Sequence, residues 1–345
     1  MDLCSRIKGE RGFSNIPSNN AQLPCPNEKS SITLTVIICK LLLEGENAIR
    51  QNVFCTALLA FLVAGFTDDQ MNEKPAKVKA EEENVENLVV SDDGIVTFKI
   101  INNANVPQTQ VKMLEEEISN AYKVIQQSIK TDYIPSNEIE IILFPGKDYS
   151  WGFRDKIKLY GVRYGKYPLV HEMTHTLLGY GDNFDVSRGF LTQEGFGVYM
   201  ENKWGKDNFP AHKMMKYFIG KSKTIPLKKL TDRETDVEFF RPAGPNPRAN
   251  FALMQLSYYQ AGSFVTHLID KYGLEKFEKI FNKDSLEERL HEVYGKNVNE
   301  LEAEWLAYIE KNYTEPGTDE KMKIENFYSL ESIIDSLDHE YFEKE

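Results

Sequence analysis

The apolar residues change from a strand-like to a helix-like pattern along the chain, and this change limits the fold more than any other feature. Residues 94–101, 138–144 and 155–161 are short and rich in β-branched or alternating apolar residues, so they predict strands. Residues 109–130 have apolar side chains at the spacing of an amphipathic helix. From residue 167 onward the pattern is helical almost throughout. We therefore predict an α+β fold, in which a small N-terminal mixed sheet with one helix precedes a mostly helical C-terminal part.

A leader and a linker are predicted before this region. Residues 53–66 form a short apolar run that follows Arg50 and precedes acidic residues. Such a run is typical of the h-region of a secretory signal, with a buried helix as the alternative. We interpret residues 1–66 as a leader, 67–87 as a charged linker and 88–313 as the functional domain.

The C-terminal residues 314–345 are interpreted as an acidic amphipathic tail. Between residues 327 and 341 apolar side chains fall on one helical face, with acidic residues opposite. A face of this kind more often packs on its own domain than on a partner. The lysines between Lys213 and Lys229 are interpreted as a solvated surface, and contact with the acidic tail is the alternative.

Charge, cysteine usage and the leader limit the partners and the location. The formal net charge of −12 argues against nucleic acid or an anionic membrane as a partner. The leader implies a secreted or cell-surface protein with no stable membrane span after its removal, or a cytoplasmic one if it is not a functional signal. All four cysteines lie in the leader, so a metal in the remaining chain must be held by nitrogen and oxygen. They are Cys4, Cys25, Cys39 and Cys55.

The stretch "LVHEMTHTLLGYG" (169–181) contains two of the six histidines, with a glutamate between them. Residues four apart share one face of a helix, so His171 and His175 can direct their imidazoles at one point. Zinc accepts imidazole nitrogen, and a catalytic site takes three protein ligands with one open position. Glu172 lies one step round the helix, where it suits a general base. The third ligand is expected on a neighbouring element, and "GFLTQEGFGVYMEN" (189–202) supplies Glu194. The sequence thus predicts one catalytic Zn²⁺ held by two histidines and one carboxylate.

These motifs resemble the gluzincin metallopeptidases, especially aminopeptidase N-type enzymes and bacterial peptidase MA-like domains. In that family the H-E-x-x-H helix is followed by a helix that reads approximately W-L-x-E-G-x-A-x-Y-x-E, and this chain has Glu194, Gly195, Tyr199 and Glu201 at matching places. The chain differs where the family has Trp-Leu, and it has Gly197 in place of the alanine. The resemblance implies a zincin-like (thermolysin-like) catalytic domain that hydrolyses a peptide or protein substrate.

The stretch "LSYYQAGSFVTHLIDKYGLEKF" (256–277) is similar to the family helix that carries Y-x-x-G. By position, the resemblance makes Tyr259 the hydrogen-bond donor to the oxyanion, with Tyr258 and His267 as alternatives. For all three residues, the non-catalytic alternative is simple packing in the core. Glu201 lies two helical turns beyond Glu194, and it either orients an imidazole or is solvated.

One departure from the family bears on specificity. Aminopeptidases of this type have a G-x-M-E-N motif upstream of the zinc helix, but residues 151–167 contain no glutamate. We therefore favour an endopeptidase over an aminopeptidase, with a non-catalytic peptide-binding protein on a zincin scaffold as a further alternative. The strand at 155–160 is predicted to bind substrate by strand addition. Asp182, Asn183 and Asp185 lack the remaining ligands of a calcium loop.

Overall fold

Five strands form one mixed sheet in the residues that the computed structural model describes, which are 87–179, 189–206, 210–328 and 337–343. The sheet order is β1-β2-β3-β5-β4; β2, β3 and β5 run parallel, and the two outer strands pair antiparallel to their neighbours. The strands are β1 Asn87–Val90, β2 Thr97–Asn102, β3 Glu138–Leu143, β4 Trp151–Gly152 and β5 Lys156–Leu159. The predicted leader and all of the predicted linker except its last residue lie outside the described residues, and so do the candidate calcium residues.

The helix α1 (Gln108–Gln126) crosses from β2 to β3 and covers the sheet. Its buried face includes Leu114, Ile118 and Ile125, which recur at helical spacing. The strands bury alternate residues such as Ile139 and Ile141, because successive side chains point to opposite faces. Helix and sheet therefore share one apolar core.

The remaining described residues are mainly helical, as the pattern after residue 167 predicts. The coarse prediction of an α+β fold with a small mixed sheet is thereby confirmed. The helices are α2 Leu169–Leu178, α3 Leu191–Trp204, α4 Ala211–Gly220, α5 Leu227–Thr231, α6 Asp236–Phe240, α7 Pro247–Tyr272, α8 Leu274–Glu278, α9 Leu286–Tyr294, α10 Val298–Asn312 and α11 Thr318–Tyr328. Among the described residues, none of these helices has both the length and the apolar character needed to cross a membrane.

The helices α3 and α7 approach each other closely because Gly262 has no side chain. A Cβ atom at this position would lie only 2.2 Å from Cγ1 of Val198 on α3. Real Cβ atoms do not come this close to a neighbour, so any larger residue would force the two helices apart. This contact sets α7, with its tyrosines, beside the helix that carries Glu194.

The structure corrects the prediction about the strand at 155–160. This segment forms β5, which pairs with β3 on one side and with β4 on the other. Strand addition requires an unpaired edge, and among the described strands on this side of the sheet that edge belongs to β4. The sequence did not reveal β4 because two residues are too few to show alternation.

The described parts of the C-terminal tail contact the lysine cluster, which is the alternative that the sequence left open. The Nζ atom of Lys213 lies 2.5 Å from a carboxylate oxygen of Glu320. Lys229 donates a hydrogen bond of 2.8 Å to the carbonyl of Glu340, and the ammonium group of Lys223 lies 4.5 Å from the ring centre of Phe342. The tail therefore packs on the domain from which it extends.

Candidate metal centre

The helix α2 begins and ends where other residues satisfy its free backbone groups. At its start the buried Glu201 on α3 accepts the backbone N–H of His171 at 3.0 Å. At its end Gly179 takes a left-handed conformation (φ 108°) that a residue with a side chain rarely adopts, and donates to the carbonyl of His175. Glu201 is buried, so the interpretation of a solvated glutamate is wrong, and its carboxylate caps the helix that carries the histidines. An orienting role towards an imidazole stays a prediction. Burial raises the pKa of Glu201 to about 7, against the lowering effect of the N–H groups it accepts.

The helix α3 is fixed in a similar way. The backbone N–H of Phe190, just before α3, donates to a carboxylate oxygen of Asp236 on α6 at 2.7 Å. The carbonyl of Phe190 in turn accepts the N–H of Glu194 at 2.9 Å. Glu194 therefore sits in a well-anchored first turn, where the positive end of the helix favours a carboxylate.

The side chains of His171, His175 and Glu194 converge on one point. The Nε2 atoms of the two histidines lie 2.9 Å apart, and Oε2 of Glu194 lies 3.1 Å from Nε2 of His171 and 3.2 Å from Nε2 of His175. All three residues are buried, and in the described part of the chain this is the one group of acidic, histidine or cysteine residues with such a geometry. The structure thus brings together the residues that the sequence selected as metal ligands.

This arrangement fits a zinc ion. Ligands 2.0–2.1 Å from zinc at the corners of a tetrahedron lie about 3.3 Å from one another. The three distances here are slightly shorter, so the side chains need to spread by only a few tenths of an ångström. Two imidazole nitrogens and one carboxylate oxygen are also the donor set of many catalytic zinc sites, with a fourth position left for solvent.

The charges around the cluster leave two donors ready for a metal. Burial alone would raise the pKa of Glu194, but Arg241, then His175 and His171, outweigh it and hold the pKa well below its usual range. Burial lowers the pKa of His175 to about 4. For His171, burial also acts to lower the pKa, but the hydrogen bond to the carboxylate of Glu194 and the charge of Glu172 raise it overall. At neutral pH Glu194 and His175 are therefore unprotonated, as metal ligands must be, and a proton competes with a metal mainly at His171.

Glu172, the predicted general base, lies beside the cluster without belonging to it. It is buried in the first turn of α2, and the backbone amide of Gly152 on β4 is close enough to lower its pKa. Burial nevertheless raises the pKa of Glu172 to about 7, and the charge of His171 is the main opposing effect. A carboxyl group whose pKa lies near neutrality suits both acceptance and donation of a proton.

Two residues at the cluster were not assigned to it from the sequence. Arg241 donates to Oε1 of Glu194 at 2.6 Å, and the hydroxyl of Tyr258 donates to the same oxygen at 3.0 Å. The ring of Tyr258 also stacks on the ring of His171, with 6.0 Å between their centres. The sequence indicates Tyr258 only as an alternative to Tyr259 for the oxyanion donor, not as a partner of Glu194. Nothing in "RPAGPNPRAN" (241–250) indicated Arg241, because its partners are far away in sequence.

The other two candidates for the oxyanion donor lie on the same helix. Tyr259 follows Tyr258 in α7 and is buried, and its catalytic role stays a prediction. His267 is two turns further along and bonds Glu304 on α10 at 3.1 Å, so it contributes to the contact between these two helices.

A close contact with His171 explains why position 197 is a glycine. A Cβ atom at Gly197 would lie 2.8 Å from both Cε1 and Nδ1 of His171. The imidazole of His171 therefore occupies the space that an alanine would need. The departure of this position from the family pattern follows from the packing of a candidate metal ligand.

We expect that Gly197→Ala will weaken zinc binding without unfolding the protein. The new methyl group displaces the His171 ring, and loss of support for a metal ligand typically costs about 10–100-fold in affinity. Alanine itself favours the helix by about 1 kcal/mol relative to glycine. Competition with a chelator measures the affinity, and thermal unfolding of the metal-free protein measures the stability. Lys203→Ala, an exposed position on the same helix, is the control. Equal zinc affinity in the two variants would contradict this account.

No protein-family model matches this chain, and no curated protein matches its sequence. The resemblance to the gluzincin family therefore stays a prediction that rests on the motifs in the sequence. The assignment of a site depends on the geometry described above.

Proposed function

We propose that this protein is a zinc-dependent metallopeptidase with a zincin-like, gluzincin-type catalytic domain. The observation that supports this most is the buried convergence of His171, His175 and Glu194, with the carboxyl group of Glu172 beside them. Chemistry of this kind needs three donors, a base and an adjacent place for an extended substrate. The edge strand β4 lies next to α2 and is suited to that place.

In the proposed hydrolysis, the metal ligands, Glu172 and Tyr259 have separate roles. Zinc, when bound, lowers the pKa of a water molecule and polarises the carbonyl of the scissile peptide bond. Glu172 accepts the proton of the attacking water on its carboxylate and then donates it to the nitrogen of the leaving amine, so the charge balances at the end. Tyr259 donates a hydrogen bond to the developing oxyanion, and such a donor contributes about 2.7–4 kcal/mol. Its neighbour Tyr258 supports this role less well, because the hydroxyl proton of Tyr258 is directed at Glu194.

Endopeptidase specificity is the better supported form of this proposal. Aminopeptidases of the resembling family use a glutamate before the zinc helix to hold the free amino group of the substrate. The segment from β4 to α2 contains no glutamate until Glu172 itself. A substrate strand beside β4 could therefore extend past the cluster in both directions.

We also propose that the protein is secreted or at the cell surface, which N-terminal sequencing of the protein from its native cells would test.

A digest of a mixed peptide library, with and without a zinc chelator, tests the function. We expect cleavage inside the peptides, loss of cleavage with the chelator and recovery when zinc is restored. Stepwise release of N-terminal residues would support an aminopeptidase instead. Tight binding of zinc and peptides without any cleavage would support the non-catalytic peptide-binding alternative and contradict the enzymatic proposal.

A further inference from the structure

We propose that Arg241, together with Tyr258, is a positioning residue that restricts Glu194 to binding the metal through a single oxygen. This inference rests on the metal site proposed above and adds a second layer to it. Arg241 follows α6 and Tyr258 lies on α7, whereas the predicted ligands lie on α2 and α3. Arg241 and Tyr258 therefore belong to elements that carry none of the predicted metal ligands.

The two carboxylate oxygens of Glu194 face different groups. Oε2 faces the two imidazoles, at 3.1 and 3.2 Å. Oε1 points away from them and accepts hydrogen bonds from the guanidinium of Arg241 at 2.6 Å and from the hydroxyl of Tyr258 at 3.0 Å. A carboxylate can bind a metal through one oxygen or both, and each hydrogen bond to Oε1 opposes the rotation that would offer both.

The guanidinium is itself held in place by its surroundings. A second nitrogen of Arg241 donates to the carbonyl of Phe240 at 2.7 Å, and the same nitrogen donates to Tyr258. The group also lies over the rings of Phe190 and Trp151, with 4.8 and 5.4 Å to the ring centres. A planar guanidinium with several N–H donors can make these contacts together, whereas the ammonium group of a lysine cannot.

Arg241 also supplies a charge partner where one is needed. The side chain of Glu194 is 1% exposed and that of Arg241 is 20% exposed. A buried carboxylate without a partner is costly, so the guanidinium stabilises the ionised ligand before a metal arrives. Because Trp151 belongs to β4, the same side chain connects the candidate ligand to the edge of the sheet.

The test compares zinc affinity and cobalt absorption in the full chain and its variants. Arg241→Gln is expected to lose about 10–100-fold in zinc affinity, measured by competition with a chelator. Its Co²⁺ form should absorb more weakly in the visible region than the native form, because Glu194 can then bind through both oxygens and raise the coordination number. Arg241→Lys should not restore either property. Arg163→Gln removes an arginine that bonds the carbonyl of Ala104 outside the site and should leave both unchanged.

Tyr258→Phe keeps the test decisive if Arg241→Gln does not fold. It removes one donor to Oε1 and retains the charge of Arg241, so we expect a smaller loss of affinity in the same direction and a change in the cobalt spectrum. Native affinity and an unchanged spectrum in a folded Arg241→Gln variant, or in Tyr258→Phe where the former does not fold, would overturn the proposal.

The outcomes for the native chain separate this inference from the proposed function. If the native chain binds zinc and cleaves peptides while the variants bind zinc equally well, only the role of Arg241 is overturned. If the native chain binds zinc without cleavage, the peptidase proposal is overturned and the affinities still decide the role of Arg241. A native chain that binds no zinc would overturn both.

Discussion

Replacement of Glu172 by glutamine is expected to leave zinc bound and to abolish peptide hydrolysis. Glu172 lies outside the group of three donors, so its loss removes no ligand. Glutamine has nearly the same shape but cannot accept a proton, and general-base catalysis contributes about 10²–10⁴-fold to rate. Metal analysis of the purified protein and initial rates on a cleaved library peptide measure the two properties separately.

The same variant should fold at least as well as the native chain. Burial raises the pKa of Glu172 from 4.5 to about 7, so folding favours the protonated carboxyl. The contribution of Glu172 to the stability of the metal-free protein is therefore lost as the pH rises from about 4.5 to about 7, whereas glutamine mimics the protonated form throughout. Glu116→Gln, at an exposed position on α1, is the matched control for the substitution. Peptidase activity retained in Glu172→Gln would show that another group is the base.

His175→Ala is expected to lose both zinc and hydrolysis. It removes one of three donors from a site whose atoms lie 2.9–3.2 Å apart, and nothing else in the cluster can take its place. The loss of affinity should exceed the roughly 10–100-fold typical of residues that only support a ligand.

Zinc-dependent stability gives a readout of this variant that does not require catalysis. A ligand at about 1,000 times its Kd stabilises the native state by about 4 kcal/mol, so zinc should raise the melting temperature of the native chain clearly. In His175→Ala the melting temperature should not respond to the same zinc concentration. His339→Ala removes an exposed histidine near the C-terminus and should retain the full response. A zinc-dependent rise in His175→Ala equal to that of the native chain would exclude His175 as a ligand.

The long elements and the donors of one helix could be predicted from the sequence because each has a local signature. The helix at Gln108–Gln126 and the strand at Glu138–Leu143 follow from their apolar spacing. His171 and His175 follow from their separation by four residues, which places them on one face. Glu194 was predicted partly from chemistry, because a zinc site with two histidines needs a third donor on a nearby element.

The features that were missed depend on contacts between distant segments. Arg241 meets Glu194 across 47 positions of sequence, and no repeat or motif marks that pair. Glu201 was expected to face an imidazole or solvent, but the backbone N–H of His171 lies within its reach. Substrate addition was predicted at the strand 155–160, but this strand (β5) is paired on both sides. One of its partners is β4, whose two residues are too few to be recognised in the sequence.

The distribution of the donors over two helices has a consequence for handling the protein. The two histidines belong to α2 and the carboxylate to α3, so the full set of donors exists only while these two helices pack against each other. A partly unfolded chain that keeps α2 would therefore retain two of the three donors and hold zinc weakly. Retention of zinc therefore reports whether α2 and α3 are packed together, and its release on heating should coincide with the loss of tertiary structure.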